Sequence, residues 1–276
     1  MNVNDKFNLK DNLAIITGGA GLLGKQHVEA LLEAECNVVV LDINDKALVT
    51  LKEHCFAKYT KKILTLNVDI TKEVEILEAK STIYNEFKKF PNILINNAAI
   101  DPKFEKDSKI NQSRLENFDL FQWNLELSVG LSAAMLCSKI FGYEMAQNGR
   151  GVILNIASDL GIIAPNQNLY KQDGIPDAEQ NVKPVTYSVI KHGLIGLTKY
   201  IATYWAHKGV RCNAFAPGGV YNKHPKEFVD KVSALIPLNR MAQVDEYKAS
   251  IVFLCSDASS YMNGATLNMD GGRSTW

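Results

Sequence analysis

The chain has 276 residues, 46% hydrophobic and 22% charged, the balance of a globular protein large enough to bury a sizeable core. Its 30 basic and 30 acidic side chains cancel, leaving no surplus of positive charge to neutralise phosphates and excluding nucleic acid as the main partner. The opening MNVNDKFNLKDN is polar and no apolar run is long enough to span a bilayer, so neither membrane nor secretion is expected and the compartment expected is the cytoplasm.

In chain order, short apolar runs at 13–17, 37–41, 63–68, 92–95, 151–156 and 210–215 alternate with longer stretches, such as 22–34, 72–89 and 187–208, whose apolar residues recur at helical spacing. Runs rich in Val, Ile and Leu without alternation read as strands buried on both faces. Strand–helix–strand repeated about every 25 residues implies a parallel sheet, and right-handed crossovers make it a single-domain, Rossmann-like, doubly wound α/β fold with helices on both faces.

The first run leads into Thr17-Gly-Gly-Ala-Gly-Leu-Leu-Gly24 and then an amphipathic stretch. Gly18, Gly21 and Gly24 allow a tight turn, and the backbone through Leu22 and Leu23 opens a helix whose free N–H groups suit a pyrophosphate. Asp42 closes the second strand, 18 residues after Gly24, followed by Ile43 and Asn44. A carboxylate there accepts from the adenosine ribose hydroxyls and repels a 2′-phosphate, so NAD is expected over NADP.

The run at 151–156 ends in Asn155-Ile-Ala-Ser158, delivering a hydroxyl at the carboxyl edge of the sheet, where ligands of open α/β sheets bind. Tyr187 and Lys191 then stand four apart, on one face of a helix. Roughly one such pair is expected by chance in this composition, and Tyr84/Lys88 and Tyr204/Lys208 have the same spacing. Neither of those follows a strand-end serine. A lysine about 4 Å from a phenolate, at an effective dielectric of about 20, favours it by about 4 kcal/mol, bringing the phenol into general acid–base range.

These residues together resemble the short-chain dehydrogenase/reductase family over nearly the whole chain. Asn96-Asn-Ala-Ala99 is similar to the family's segment after the fourth strand, Asp69-Ile70 close the third strand where the family contacts adenine, and Pro217-Gly218 and Met269-Asp-Gly-Gly272 match its later turns. The resemblance implies that Ser158 binds the substrate oxygen, Tyr187 transfers the proton and Lys191 assists it and holds the nicotinamide ribose. It implies further that Asn124 anchors a water, that Asn97, Ala98 and Val220 belong to the cofactor site, and that the protein is a homodimer or homotetramer. The glycine spacing, with Leu22 at the usual middle glycine, resembles instead the extended branch of nucleotide-sugar epimerases and dehydratases. That branch, and a non-catalytic NAD-binding module, are the alternative readings.

Residues 161–184 break the pattern. They carry Pro165, Pro176 and Pro184, Gly174 and many amides, and lengthen the step from Ser158 to Tyr187 to 29 residues. Long loops in compact domains are usually functional, so this insertion is expected to be a substrate lid or a subunit contact, with 218–240 as the substrate loop. Its polarity points to a sugar-like or sugar-phosphate small molecule rather than a steroid. The run 182–193 with 217–221 resembles oxidoreductases of flagellin-modification and surface-sugar clusters. The five cysteines and five histidines show no metal-ligand spacing, and no metal is expected.

Overall fold

The computed structural model describes residues 2–60, 62–100 and 111–276. Strands β1 (Leu13–Thr17), β2 (Asn37–Asp42), β3 (Ile63–Asn67), β4 (Ile93–Asn96), β5 (Gly151–Ile156), β6 (Val210–Pro217) and β7 (Thr266–Met269) form one sheet in the order β3-β2-β1-β4-β5-β6-β7. Every pairing is parallel; Ala14 faces Val38 on one side and Ile93 on the other.

The unbroken apolar runs are explained by burial on both sides. Ala14, Ile16, Val38 and Val40 pack into one cluster, with Val28 and Leu31 of α1 (Leu22–Glu33), Leu48 and Leu51 of α2 (Asp45–Lys58), and Ile251 and Leu254 of α8 (Lys248–Cys255). The alternate residues Leu13, Ile15, Val39 and Leu41 join the opposite cluster, with Ile76 and Ile83 of α3 (Glu73–Phe87), Phe141 of α5 (Ala133–Gln147) and Ile201 of α6 (Val185–Tyr204). At about 1.5–3 kcal/mol for each large side chain withdrawn from water, a one-residue register slip gains nothing on either face. Crossover direction instead follows from the connecting helices.

The chain runs β1-β2-β3 outward, then returns to place β4 on the other side of β1. The loops after β1 and β4 therefore leave in opposite directions and open a crevice at the carboxyl edge.

Helix α4 (Leu120–Leu127) continues through wider turns at Ser128–Ser132 into α5. The stretch Leu120–Gln147 is long and apolar enough by composition to cross a membrane. Here it is a core element, with Cys137, Phe141 and Met145 buried against the sheet.

The elements depart from the sequence reading in several places. β3 stops at Asn67, so Asp69 and Ile70 lie in the turn beyond it rather than in the strand. β7 was not anticipated, because its four residues are short and partly exposed at the sheet edge. α6 starts at Val185, since Pro184 fixes the N-cap. Segment 218–240 contains α7 (Lys226–Ser233).

Candidate active site

A cleft of about 900 Å³ runs along the carboxyl edge. Its floor at one end is the glycine turn. Gly18 has φ +61° and donates its N–H to Leu41 O at 2.7 Å; a Cβ there would sit 2.8 Å from Ala98 Cα. A Cβ on Gly24 would lie 2.3 Å from Gly18 O, so only a glycine lets α1 start this close to the strand. Asn97 ties the turn down: its side-chain amide donates to Thr17 O and Gly18 O, both at 3.0 Å, while Thr17 Oγ1 accepts the N–H groups of Asn97 and Ala98 at 3.0 and 3.1 Å.

No side chain caps α1 at Gly21. Its first-turn N–H groups and helix dipole are thus available to an anion. Asp42 accepts from Ala20 N through one oxygen and from Asn44 N through the other, both at 3.0 Å, which fixes the carboxylate beside the turn. Asp69 accepts from the Thr71 hydroxyl at 2.6 Å, and that bond leads in holding its carboxyl below the usual range. The close backbone, open helix end and fixed carboxylate fit a dinucleotide.

At the other end, Ser158 follows β5 by two residues and caps a short turn, Asp159–Gly161, accepting from Leu160 N at 3.2 Å. Its hydroxyl donates to Asp159 Oδ1 at 2.7 Å, and the other Asp159 oxygen accepts from Arg273 Nη1 at 3.0 Å. This ion pair is nearly sealed from water, the two side chains being 4% and 9% exposed. Lys191 is buried on α6 and donates to Ile156 O at 2.8 Å. Burial, with the charge of Lys183 adding to it, lowers its ammonium to about 8.

Lys191 Nζ is 5.7 Å from the Tyr187 ring centroid, whereas Lys183 Nζ is only 3.9 Å from it. The closer cation is one the sequence reading passed over, although Lys183 precedes Tyr187 by the same four residues that Lys191 follows it.

Ser158, Tyr187, Lys191 and every residue assigned above to the cofactor line this one cleft. Asn124 is the exception. It is exposed on α4 and lies outside the cleft lining; Leu125 and Val129, one turn apart, face the cleft, and the buried carboxylate of Glu126 accepts from Gln122 and from Thr186, the neighbour of Tyr187. A 100° step per residue turns Asn124 away from the wall that Leu125 forms. The chance pairs stay apart from the site: Tyr84 stacks on Phe90 and Tyr204 on Tyr200, and neither lines the cleft.

The insertion is less polar in effect than in composition. Leu169 is buried and, with Tyr170, packs on Phe228, Val232, Ile236 and Met241, clipping the loop to the α7 region. Gln180 braces it internally, bonding to Gln172 N, Gln172 O and Ile175 O at 2.7–2.8 Å. Pro165, Asn166, Leu169, Tyr170 and Lys183 of the insertion line the cleft, as do Asn222 and His224. Among the described residues no group of three His, Cys, Asp or Glu side chains could hold a metal, and the five cysteines are buried without disulfides.

Residues 12–171 match the family model described as short chain dehydrogenase, and residues 177–274 that described as Enoyl-(Acyl carrier protein) reductase. The break between the two falls inside the insertion. The chain is 29% identical to 3beta-hydroxysteroid dehydrogenase 2 of Eggerthella lenta, over 97% of this chain and 96% of the relative. It is also 29% identical to galactitol 2-dehydrogenase of Rhizobium johnstonii, over the whole of both. The crystal structure of a short-chain type dehydrogenase/reductase from Mycobacterium marinum is similar with a TM-score of 0.83, at 26% identity over 99% of each chain.

Proposed function

Because this chain belongs to the short-chain dehydrogenase family, we propose that it interconverts a secondary alcohol and a ketone on a polar, sugar-like substrate, with NAD preferred to NADP. The observation that carries this is the convergence of Ser158, Tyr187 and Lys191 on the cleft that also holds the glycine turn.

When bound, the nicotinamide accepts or supplies the hydride. The α1 N–H groups would hold the pyrophosphate, Asp42 the adenosine ribose and Lys191 the nicotinamide ribose. Tyr187 Oη takes the proton of the substrate hydroxyl during oxidation and returns it during reduction. The ammonium groups of Lys191 and Lys183, both near its ring, favour the phenolate that accepts this proton. The Ser158 hydroxyl rotates from Asp159 to donate to the substrate oxygen. The Leu160 N–H, which donates to the Ser158 oxygen, keeps it positioned meanwhile.

Asn166 and Tyr170 of the loop wall support a polyhydroxylated substrate over a steroid; the galactitol enzyme among the relatives supports the same class. The resemblance of 182–193 and 217–221 supports a role in making a flagellar or surface glycan precursor. Against the extended-branch reading, β7 joins the same sheet beside β6. Exposed apolar side chains on α4, α5 and α6, among them Phe121, Tyr143 and Tyr200, support a homodimer or homotetramer.

Tyr187→Phe tests the assignment. Oxidation of a polyol such as galactitol with NAD⁺, followed through NADH absorbance, is expected to fall by about 10²–10⁴-fold, with NADH binding unchanged by fluorescence titration. Turnover surviving in the variant would refute it, and activity lost together with NADH binding would mean a structural role for the tyrosine.

A further inference from the structure

Arg273 reaches Ser158 from the other end of the chain. Its backbone is set in the turn after β7 by Asp270, which accepts the Arg273 N–H through its carbonyl at 3.3 Å. The Asp270 carboxylate fixes the residues on either side, accepting from Gly272 N and from Ser274 N, both at 2.9 Å. Trp276 ties down the end of this turn by donating from Nε1 to Leu235 O at 3.1 Å. From here the guanidinium joins the cleft lining and meets Asp159, 114 residues earlier.

The Asp159 side chain is reached from two directions. Oδ2 accepts from Arg273 Nη1 at 3.0 Å, whereas Oδ1 accepts both the Ser158 hydroxyl at 2.7 Å and the Leu160 N–H at 2.8 Å. If the hydroxyl turns away, each carboxylate oxygen therefore still has a donor. The Leu160 N–H also lies 3.2 Å from Ser158 Oγ, so the serine oxygen stays bonded while its hydrogen moves.

All three side chains are buried. A carboxylate at that depth with no cation beside it would trap the serine hydrogen, because hydrogen bonds to ionised acceptors are about twice as strong as neutral ones and gain further in a dry site. The guanidinium charge weakens that trap by lowering the negative potential that Oδ1 offers the hydroxyl. A buried ion pair is by itself weak evidence for stability, since desolvation offsets the attraction. Here it stands one hydrogen bond from the hydroxyl that has to change partners.

We propose that Arg273 is a positioning residue: it restrains the hold of Asp159 on Ser158, so that the serine hydrogen passes to a substrate oxygen when one arrives. The inference rests on the role of Ser158 given above and adds the group that releases its hydroxyl.

The first test needs no substrate. Urea midpoints at matched protein concentration give the loss caused by Ser158→Ala in the parent, in Arg273→Gln and in Asp159→Asn/Arg273→Gln. That loss is expected to be larger in Arg273→Gln than in the parent, because an unrestrained carboxylate grips the hydroxyl. In the charge-free double variant it is expected to be no larger than in the parent. An equal or smaller loss in Arg273→Gln would overturn the proposal. Should Arg273→Gln not fold, the double variant decides, and a loss larger there than in the parent would be equally fatal.

The second test is oxidation with NAD⁺ of whichever of galactitol, D-sorbitol and D-gluconate the parent turns over fastest. Arg273→Gln is expected to lower kcat about tenfold, the difference between a charge-assisted and a neutral hydrogen bond. NADH affinity should not change. Arg273→Lys should retain most of kcat, and Asp159→Asn/Arg273→Gln should recover it. In a Ser158→Ala background Arg273→Gln should lower kcat no further, since it acts through the missing hydroxyl. A further fall there, or NADH binding lost together with activity, would make Arg273 a structural residue and refute the proposal.

Failure of this inference and failure of the alcohol reading give different results. A larger midpoint loss in Arg273→Gln, with none of the three alcohols oxidised, keeps the restraint on Ser158 and refutes the alcohol reading. Tyr187-dependent oxidation with equal midpoint losses does the reverse.

Discussion

Asp42 joins two tasks that its position in the sequence shows as one. Both oxygens accept backbone N–H groups, one from the glycine turn and one from the start of α2, so the carboxylate is rigid where a ribose is expected. A 2′-phosphate would bring about two negative charges against it, a like-charge contact costing several kcal/mol. Asp42→Ala is therefore expected to lower the ratio of kcat/KM for NAD to that for NADP by tenfold or more. It should also raise KM for NAD, since Ala20 N loses its partner. An unchanged ratio would show that the discrimination lies elsewhere. Ser158, Tyr187 and Lys191 were equally legible from sequence, because a strand end and a helical repeat fix where such side chains point. Lys183 was not, because Pro184 marks a helix boundary and everything before it reads as loop. Asn124, exposed and outside the cleft lining, shows the converse: a motif match identifies a residue on a helix but leaves open which way that helix is rotated.

The strands and helices that make the cradle were legible because hydrophobic runs buried on both faces leave a strong pattern. β7 was not, being four residues long and half exposed. The insertion was seen as a departure, but its attachment could not be read, since it depends on one leucine meeting residues about 60 positions later. Burying Leu169 contributes about 1.5–3 kcal/mol, enough to decide whether a wall of this size stays closed, because loops open locally without unfolding the sheet. Leu169→Ser is expected to raise KM for the alcohol about tenfold while KM for NAD stays constant, the cradle being at the other end of the cleft. Limited proteolysis of the variant should cut within 161–184 first. Equal KM values in variant and parent would mean that the loop wall is held by its hydrogen bonds to the rest of the chain, such as Arg114 Nη1 to Asp177 O and Lys231 Nζ to Lys171 O, and that Leu169 serves only packing.

On the scale of the whole molecule, a formal charge of zero keeps overall self-repulsion small near neutrality, so acid sensitivity is set by individual buried groups. His27 dominates among the histidines. It is fully buried on α1, neither ring nitrogen has a hydrogen-bond partner among the described residues, and burial pushes its pKa down from 6.5 to about 3. Between those values the unfolded chain binds a proton that the folded chain refuses, so stability rises with pH across this window and falls as the solution is acidified. The loss approaches 1.4 kcal/mol per pH unit below 6.5, or about 2 kcal/mol at pH 5. His27→Leu removes the titrating ring and fills a similar volume, and it relieves two buried nitrogens that cost about 1–3 kcal/mol each when left without partners. Urea unfolding at matched protein concentration, which holds any subunit association constant, should then show two effects. The variant should be more stable than the parent at pH 7.5, and its loss of stability between pH 7.5 and pH 5 should be smaller by about 2 kcal/mol. Parallel pH profiles would instead assign the acid limb to carboxylates held below their usual range, such as Asp69 and Asp270.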